Sequence, residues 1–170
     1  LFASPYYGDC LTEEYIAGMC RAFGDDWPEY YKFMCDSQKI VLEWFEAICR
    51  KHPDIIVIFR PHPGHPSRMA YQLAEKCSKF RIISGESVKQ WIVTCDKVYT
   101  GNSSVVVEAF FAKKMCQLLF PLPTTPGFEL KLITDSKKLV TYDEFYESVF
   151  AEKEIFPTPE RSIEEIYLID

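Results

Sequence analysis

The sequence predicts an α/β fold in which an open parallel sheet carries helices on both faces. Short apolar runs alternate with stretches of helical periodicity along most of the chain. The run at 55–59 is apolar throughout, as expected for a strand that is buried on both faces of a parallel sheet. Because alternating strands and helices form right-handed βαβ units, one sheet of parallel strands follows.

The composition limits the class of protein. The chain has 170 residues with 48% hydrophobic and 15% aromatic content, enough for one domain or for one half of a two-domain enzyme. The net charge of −6 argues against nucleic-acid partners and against broad binding to anionic membranes. No signal peptide and no apolar run of ~18 residues occur. We therefore expect a cytoplasmic protein, and the first residue, Leu1, indicates a cut from a longer one.

The cysteine pattern predicts reduced thiols. The chain has seven cysteines, an odd number, and no Cys-x-x-Cys pair. Most of them lie in apolar, helix-like contexts, which is typical of buried thiols in a cytosolic protein. With only three histidines, a Cys/His metal site is not expected. We accordingly expect no metal and no cofactor.

The first part of the chain is the hardest to assign. Residues 1–4 suit a first strand or the remnant of one, and Thr12 can start a short helix. Glycines and tyrosines interrupt the pattern between them. We assign residues 1–36 to a linker or a remnant of the preceding region, and residues 37–170 to the α/β domain.

A pair of aspartates precedes the domain. Asp25 and Asp26 lie in a turn, and Pro28 suits a position near the start of another helix. Two adjacent carboxylates can hold a metal or act as catalytic acids. Their place at a helix start favours capping instead.

The helices that follow are predicted from spacing and from caps. Val41, Trp44, Phe45 and Ile48 recur at helical spacing within 36–51, and His52-Pro53 ends that helix. Ser67 can cap the next helix, and Ser87 with Gln90 has the form of a capping box. Further helices are predicted from Ser103 or Ser104, over 143–150 and over 160–168.

Short apolar runs between these helices predict the strands. They are bounded by Gly, Pro, Ser or Asp, which break regular structure. After the run at 55–59, the predicted strands lie at 80–83, 97–100, 115–120 and 139–140.

The first polar loop at a strand end combines proline, histidine and arginine. The run at 55–59 continues into Arg60-Pro61-His62-Pro63-Gly64-His65-Pro66. The prolines exclude a helix and fix an extended loop. In an open α/β sheet, ligands bind outside the carboxyl ends of the strands. The cationic and imidazole groups of this loop therefore suit a ligand that carries phosphate.

A second strand end carries small polar residues, Gly101-Asn102-Ser103-Ser104. Gly101 and Asn102 tolerate the left-handed backbone of a sharp turn, and either serine can cap the following helix. Backbone N–H groups at such a helix start form an anion site. Glu108 lies one turn beyond Ser104 and can accept hydrogen bonds from a ribose. The alternative is an ordinary capped connection with a solvated glutamate.

These motifs together resemble a known family. From about residue 55 to 121, the chain resembles the donor-binding half of a two-domain (GT-B) glycosyltransferase. The nearest group makes bacterial surface polysaccharides, and it includes capsule transferases that use CMP-activated Kdo, sialyl- and polysialyltransferases and, more distantly, teichoic-acid glycerophosphotransferases. The shared pattern is His-Pro after one strand, paired serines at a later helix start, and an acidic residue one turn on: His62-Pro63, Ser103-Ser104 and Glu108.

The resemblance implies a Rossmann-like domain and a role for each motif. It implies that His62 is the catalytic residue, which contacts or protonates the donor phosphate as it leaves, and that both serines bind the same phosphate. His65-Pro66 is a second His-Pro pair, and His62 is preferred because it follows Arg60-Pro61 as in the family. The remaining expected nucleotide or phosphate contacts are Arg60, His65, Gly101, Asn102 and Glu108.

The resemblance also implies the reaction and its partners. It implies transfer of a sugar from a nucleotide-activated donor, first of all a CMP-linked one, to a glycan or glycolipid acceptor in surface polysaccharide or lipooligosaccharide biosynthesis, without a metal. Two further partner options stay open, peripheral membrane association through regions outside this chain and a homodimer. The acidic motif of sialyltransferases is not matched, since Asp26 precedes Trp27 and not a glycine. The general base would then come from the other half of the enzyme.

Two alternatives remain at this point. The first keeps the fold and changes the chemistry, to a UDP-sugar transferase or an enzyme like UDP-GlcNAc 2-epimerase. The second belongs to another class, a non-catalytic Rossmann-like module that binds a nucleotide or a partner protein. Loss of ligand binding on mutation of Arg60, His62 or the two serines would separate the enzymes from a pure interaction module.

Overall fold

Six parallel strands form a single open sheet in the order β3-β2-β1-β4-β5-β6. A computed structural model describes residues 1–6, 9, 11–125, 127–134 and 136–151. The strands are β1 Phe2–Ala3, β2 Val57–Arg60, β3 Phe80–Ile82, β4 Val98–Thr100, β5 Cys116–Leu119 and β6 Lys138–Leu139. The predicted α/β fold with a Rossmann-like parallel sheet is confirmed.

Helices connect the strands and cover both faces of the sheet. They are α1 Glu13–Phe23, α2 Trp27–Lys51, α3 Arg68–Lys76, α4 Val88–Thr94, α5 Val105–Phe111 and α6 Tyr142–Phe150, with a 3-10 turn at Lys131–Ile133. Successive residues of β4 point to opposite faces. Val98 packs with residues of α4 and α5, whereas the ring of Tyr99 meets Phe45 of α2 and Phe145 of α6. No helix of the described residues is both long and apolar enough to cross a bilayer.

The central strand comes from the part of the chain assigned above to a linker or remnant. Phe2 of β1 pairs with Phe59 of β2 on one side and with Tyr99 of β4 on the other. Its side chain is 0% exposed, and such burial contributes about 1.5–3 kcal/mol. Residues 2–3 and 27–36 therefore belong to the sheet and to the helix that covers it. A strand of two residues is too short to give a period in the sequence.

Helix α2 starts at Trp27, well before the predicted start at residue 36. Its buried residues recur at helical spacing from the first turn, through Tyr30 and Met34, and Pro28 occupies the first turn as expected. The interspersed tyrosines and lysine concealed this pattern. Asp26 precedes the helix, but its side chain makes no capping hydrogen bond, so the predicted capping role is wrong.

The caps predicted at Ser67 and Ser87 and the helix start predicted at Thr12 are confirmed. The Ser67 hydroxyl accepts from the backbone N–H of Ala70 at 3.2 Å, and Ser87 with Gln90 forms the capping box. Thr12 caps α1 in the same way. The helix predicted over 160–168 lies outside the described residues.

The cysteines of the described residues are free thiols. They are Cys20, Cys35, Cys49, Cys77, Cys95 and Cys116. Cys49 is buried as expected, whereas the others are half-buried. Burial raises the pKa of the Cys49 and Cys116 thiols to about 12, so both stay protonated at neutral pH.

A buried chain of hydrogen bonds joins β1, α2 and α3. Ser67 donates to Oε1 of Gln38 at 2.8 Å, and Nε2 of Gln38 donates to Oγ of Ser4 at 3.4 Å. All three residues are buried, Gln38 at 1% exposure. A buried polar group needs its partners, so this chain fixes where β1 ends and where α3 begins.

Replacement of Gln38 by leucine leaves the Ser67 hydroxyl without its acceptor in the interior. We expect Gln38→Leu to lower the free energy of unfolding by about 1–3 kcal/mol in urea denaturation. Gln72→Leu on the exposed side of α3 is the matched control and should change it by less than about 0.5 kcal/mol. Equal effects of the two changes would contradict a structural role for the buried amide.

Candidate functional site

A cleft lies at the point where the strand order changes direction. The chain runs outward from β1 through β2 and β3 on one side and through β4, β5 and β6 on the other. Open parallel sheets bind ligands at such a point, outside the carboxyl ends of the strands. The cleft there has a volume of about 420 Å³. It is therefore our candidate site.

Five of the residues selected from the sequence line this cleft: Arg60, His62, Asn102, Ser103 and Ser104. The two polar loops are thus brought together, as the sequence predicts for two strand ends at one sheet edge. Gly101, His65 and Glu108 do not line the cleft. The lining also has apolar residues, which include Met34, Val88, Val105 and Leu130.

A second cavity, of about 500 Å³, lies at the amino ends of the strands. Its walls include Ile55 and Ile56, which precede β2, and Cys95 and Lys97, which precede β4. None of the residues selected from the sequence lines it. Amino ends of parallel strands are not where such sheets bind ligands. Its size therefore does not make it the better candidate.

Arg60 brings an uncompensated positive charge to the cleft. Nη1 of its half-buried guanidinium donates to the carbonyl of Gly85 at 2.7 Å, which holds the end of β2 against the turn before α4. Neither ion pair of the described residues, Arg50–Glu46 or Lys138–Glu129, involves it. No Asp or Glu is among the described residues that line the cleft. An anion can therefore bind to Arg60 without displacing a carboxylate of the described residues.

His62 lies in the cleft wall with a defined tautomer. The backbone N–H of Gly64 donates to Nδ1 of His62 at 3.3 Å, so in the neutral ring the proton is on Nε2. Partial burial lowers the pKa of His62 below its usual value. At neutral pH the ring is therefore uncharged and has one N–H to donate.

His65 lies behind His62 and not on the cleft wall. It is 8% exposed, and its ring stacks on that of His62 with centroids 4.6 Å apart and an interplanar angle of 18°. Burial, and then the neighbouring His62, lower the pKa of His65 to about 4. The ring of Tyr15 from α1 meets it edge-on at 5.6 Å.

The two serines differ in what they do. Ser103 accepts from the backbone N–H of Val105 at 3.2 Å, so its hydroxyl oxygen serves the start of α5. Ser104 occupies the cap position, but its backbone is helical and its side chain makes no capping hydrogen bond. Its hydroxyl is exposed at the cleft. Ser104 is thus the serine whose hydroxyl is the more available to a ligand.

Gly101 is required for a reason other than the predicted one. Its backbone is not left-handed; among the described residues only Gly24, Gly127, Glu86 and Lys113 have that conformation. A Cβ at Gly101 would lie 3.0 Å from Cγ of Pro5 and from the hydroxyl of Tyr6. The glycine therefore permits close packing of the loop after β1 against the end of β4.

Asn102 uses its amide to hold the protein together. Nδ2 donates to the Tyr30 hydroxyl at 3.1 Å and to the carbonyl of Phe128 at 2.7 Å, while Oδ1 accepts from the N–H of Leu130 at 2.9 Å. The ring of Phe128 stacks on that of Tyr30 at 4.4 Å. Asn102 thereby fixes the segment 128–130, whose Leu130 forms part of the cleft wall.

Glu108 lies away from the cleft wall. Its side chain is half-buried, and Oε2 is buried without a hydrogen-bond partner among the described residues. The structure therefore does not bring its carboxylate to the ligand region, and its expected contact with a ribose stays a prediction. Within the described residues, no group of three or more His, Cys, Asp or Glu side chains converges on one point.

Several cleft residues were missed by sequence reasoning. Tyr30 and Met34 come from the first turns of α2, and Leu130 comes from the connection after β5. The helical spacing of Trp27, Tyr30 and Met34 could have identified Tyr30 and Met34 as core residues. Leu130 carries no sequence signal, because its position depends on the hydrogen bonds to Asn102.

No protein-family model, no curated protein and no solved structure matches this chain. The resemblance to the donor-binding half of a GT-B glycosyltransferase therefore rests on the motifs of the two loops. The structure establishes a single α/β domain with an all-parallel sheet of six strands. The finer expectations about reaction and ligand are taken up below as proposals.

Asn102→Asp tests the structural role of the amide. The change removes both donated hydrogen bonds and sets a carboxylate oxygen against the carbonyl of Phe128. We expect the free energy of unfolding to fall by about 1–3 kcal/mol in urea denaturation. Ser104→Ala, next but one along the chain and exposed, is the control and should cost less than about 0.5 kcal/mol. An Asn102→Asp protein as stable as the control would contradict this role.

The lowered pKa of His65 predicts a loss of stability in acid. The unfolded chain binds a proton at this residue near pH 6.5, whereas the folded protein binds it only near pH 4. Unfolding therefore takes up a proton in this window, and stability falls as the pH falls from about 6.5 to 4, by on the order of 2 kcal/mol.

His65→Phe isolates this contribution, because phenylalanine keeps an aromatic ring and cannot be protonated. Urea denaturation at a series of pH values should give a shallower decline below pH 6.5 for the variant than for the wild type. Parallel curves for the two proteins would contradict the assignment.

Proposed function

We propose that this chain is the donor-binding domain of a glycosyltransferase that uses a nucleotide-activated sugar, with a CMP-linked donor as the first candidate. Its acceptor would be a glycan or glycolipid in the assembly of surface polysaccharide or lipooligosaccharide. One observation carries the proposal. An arginine that has no carboxylate partner among the described residues lines a cleft at the switch point of a parallel sheet, together with two serines.

The charge pattern supports an anionic ligand. The protein as a whole has a net charge of −6, yet the described residues that line the cleft include Arg60 and no carboxylate. Arg60 donates one hydrogen bond to Gly85 and keeps further N–H groups that a phosphate can accept from. The exposed Ser104 hydroxyl is a second donor that lines the same cleft.

The size and polarity of the cleft suit a nucleotide. A volume of about 420 Å³ falls in the range of small-molecule sites. Its polar residues would bind the phosphate. Its apolar residues, among them Met34, Val105 and Leu130, would contact the less polar part of the ligand.

The state of His62 suggests how it would act. In glycosyl transfer the nucleotide phosphate departs as an anion, and donors aimed at that charge lower the barrier. A neutral imidazole with its proton on Nε2 can donate such a hydrogen bond. Proton transfer to the phosphate would require a proton on Nδ1 as well, which faces the N–H of Gly64. We therefore assign His62 a hydrogen-bonding role and not that of a proton donor.

Calorimetric titration with CMP, CDP, UDP and a UDP-sugar tests the proposal. We expect Arg60→Gln to weaken nucleotide binding at least about tenfold, since charge-assisted hydrogen bonds contribute about 1.5–3 kcal/mol. Ser103→Ala combined with Ser104→Ala should weaken it about twofold to tenfold. Arg50→Gln is the matched control, because Arg50 is exposed on α2 and pairs with Glu46.

The titration also separates the alternatives. Preference for CMP supports a CMP-sugar transferase, whereas preference for uridine nucleotides moves the function to UDP-sugar transfer or epimerisation in the same cleft. Nucleotide binding that Arg60→Gln leaves unchanged would contradict this site. A folded chain that binds none of the four compounds would contradict nucleotide binding by this chain and favour a module that binds a partner protein.

A further inference from the structure

Of the two histidines in the loop, only His62 lines the cleft. His62 is exposed at the cleft, whereas His65 is 8% exposed and absent from the cleft wall. The backbone N–H of His65 donates to the carbonyl of His62 at 3.0 Å, so both residues belong to one tight turn. Their rings lie nearly parallel, 4.6 Å apart.

We propose that His65 is a positioning residue, which acts through its stacked ring to hold His62 in one orientation and one tautomer for the ligand phosphate. His65 then makes no contact with the ligand. This assignment replaces the direct phosphate contact expected from the second His-Pro pair. It rests on the proposed function only where ligand affinity is concerned, because the state of the His62 ring can be measured without a ligand.

Two ring contacts of His65 support this role. Its ring stacks on that of His62, and the ring of Tyr15 from α1 lies at a steep angle to it, 5.6 Å away. Tyr15 in turn contacts the ring of Trp27, which is 1% exposed at the start of α2. The orientation of the loop ring is thus connected through aromatic contacts to the buried core.

The charge state of the pair also supports this role. Two positive charges on stacked imidazoles would repel each other, and burial lowers the pKa of His65 to about 4. His65 therefore remains a neutral platform at physiological pH. It excludes water from one face of His62, while the N–H of Gly64 at Nδ1 selects the tautomer with the proton on Nε2.

Nitrogen NMR of the histidine rings in the ligand-free protein is the first test. The wild type should give the Nε2–H tautomer of His62 with a pKa below 6.5. His65→Phe, which keeps a flat ring, should retain both features. His65→Ala should give a mixture of tautomers and a His62 pKa nearer to 6.5. If His65→Ala fails to fold, His65→Leu fills the volume without a flat ring and should give the result expected of the alanine variant.

Binding of CMP and of inorganic phosphate is the second test. In His65→Ala the His62 ring is mobile in the free protein and has to be ordered when the ligand binds, so the variant should bind about twofold to tenfold more weakly. His65→Phe should bind with an affinity close to that of the wild type. A direct ligand role for His65 predicts instead that both variants lose affinity equally, and that result would overturn the proposal.

The two tests keep this inference separate from the proposed function. If the wild type binds neither probe, the proposed function fails, and the NMR measurement alone decides about His65. A His62 tautomer and pKa that are the same in His65→Ala as in the wild type would overturn the positioning role, whatever the binding result. A change in both that His65→Phe reverses supports it.

Discussion

The cleft depends on a short chain of buried hydrogen bonds from Ser4 through Gln38 to Ser67. Ser4 directly follows the central strand and lines the cleft, and Ser67 caps the start of α3 directly after the proline-histidine loop. That loop is therefore fixed at both ends, by β2 at Arg60 and by the cap at Ser67. Three prolines stiffen the residues between them. A rigid scaffold with a short loop is how folds usually present reactive side chains.

Local signals made most of the fold predictable from sequence. Each of these signals lies within a few residues of sequence. They are the helix caps at Ser67 and Ser87, the apolar run before Arg60 and the serines after β4. The strand Phe2–Ala3 has no such local signal, since its burial results from neighbours far away in sequence. The same limit applies within the site: Asn102 binds Leu130 and Phe128 through hydrogen bonds that no local pattern encodes. His65 was expected from the sequence to contact the phosphate, and only the fold shows that its ring stacks behind that of His62.

An anionic ligand would approach this site against the field of an acidic protein. The net charge of −6 gives no long-range attraction for a phosphate. Selectivity would therefore depend on contacts at hydrogen-bonding distance. There, Arg60 has no carboxylate partner within the part of the chain that the structure describes, and its guanidinium is held by the carbonyl of Gly85. Short-range recognition of this kind is less sensitive to salt than recognition by a basic surface.

The position of β1 also has a consequence for the order of folding. Phe2 pairs with Phe59 and with Tyr99, so the central strand can pair fully only after β2 and β4, which follow it in the chain, have been synthesised. Contacts between residues distant in sequence slow folding, because the intervening loop must close before the contact forms. Before β4 is synthesised, β1 has no Tyr99 to pair with, so one edge of that strand would stay unpaired and the apolar ring of Phe2 would lack part of its cover. Chaperone contact during translation is most useful to a chain of this topology at that stage.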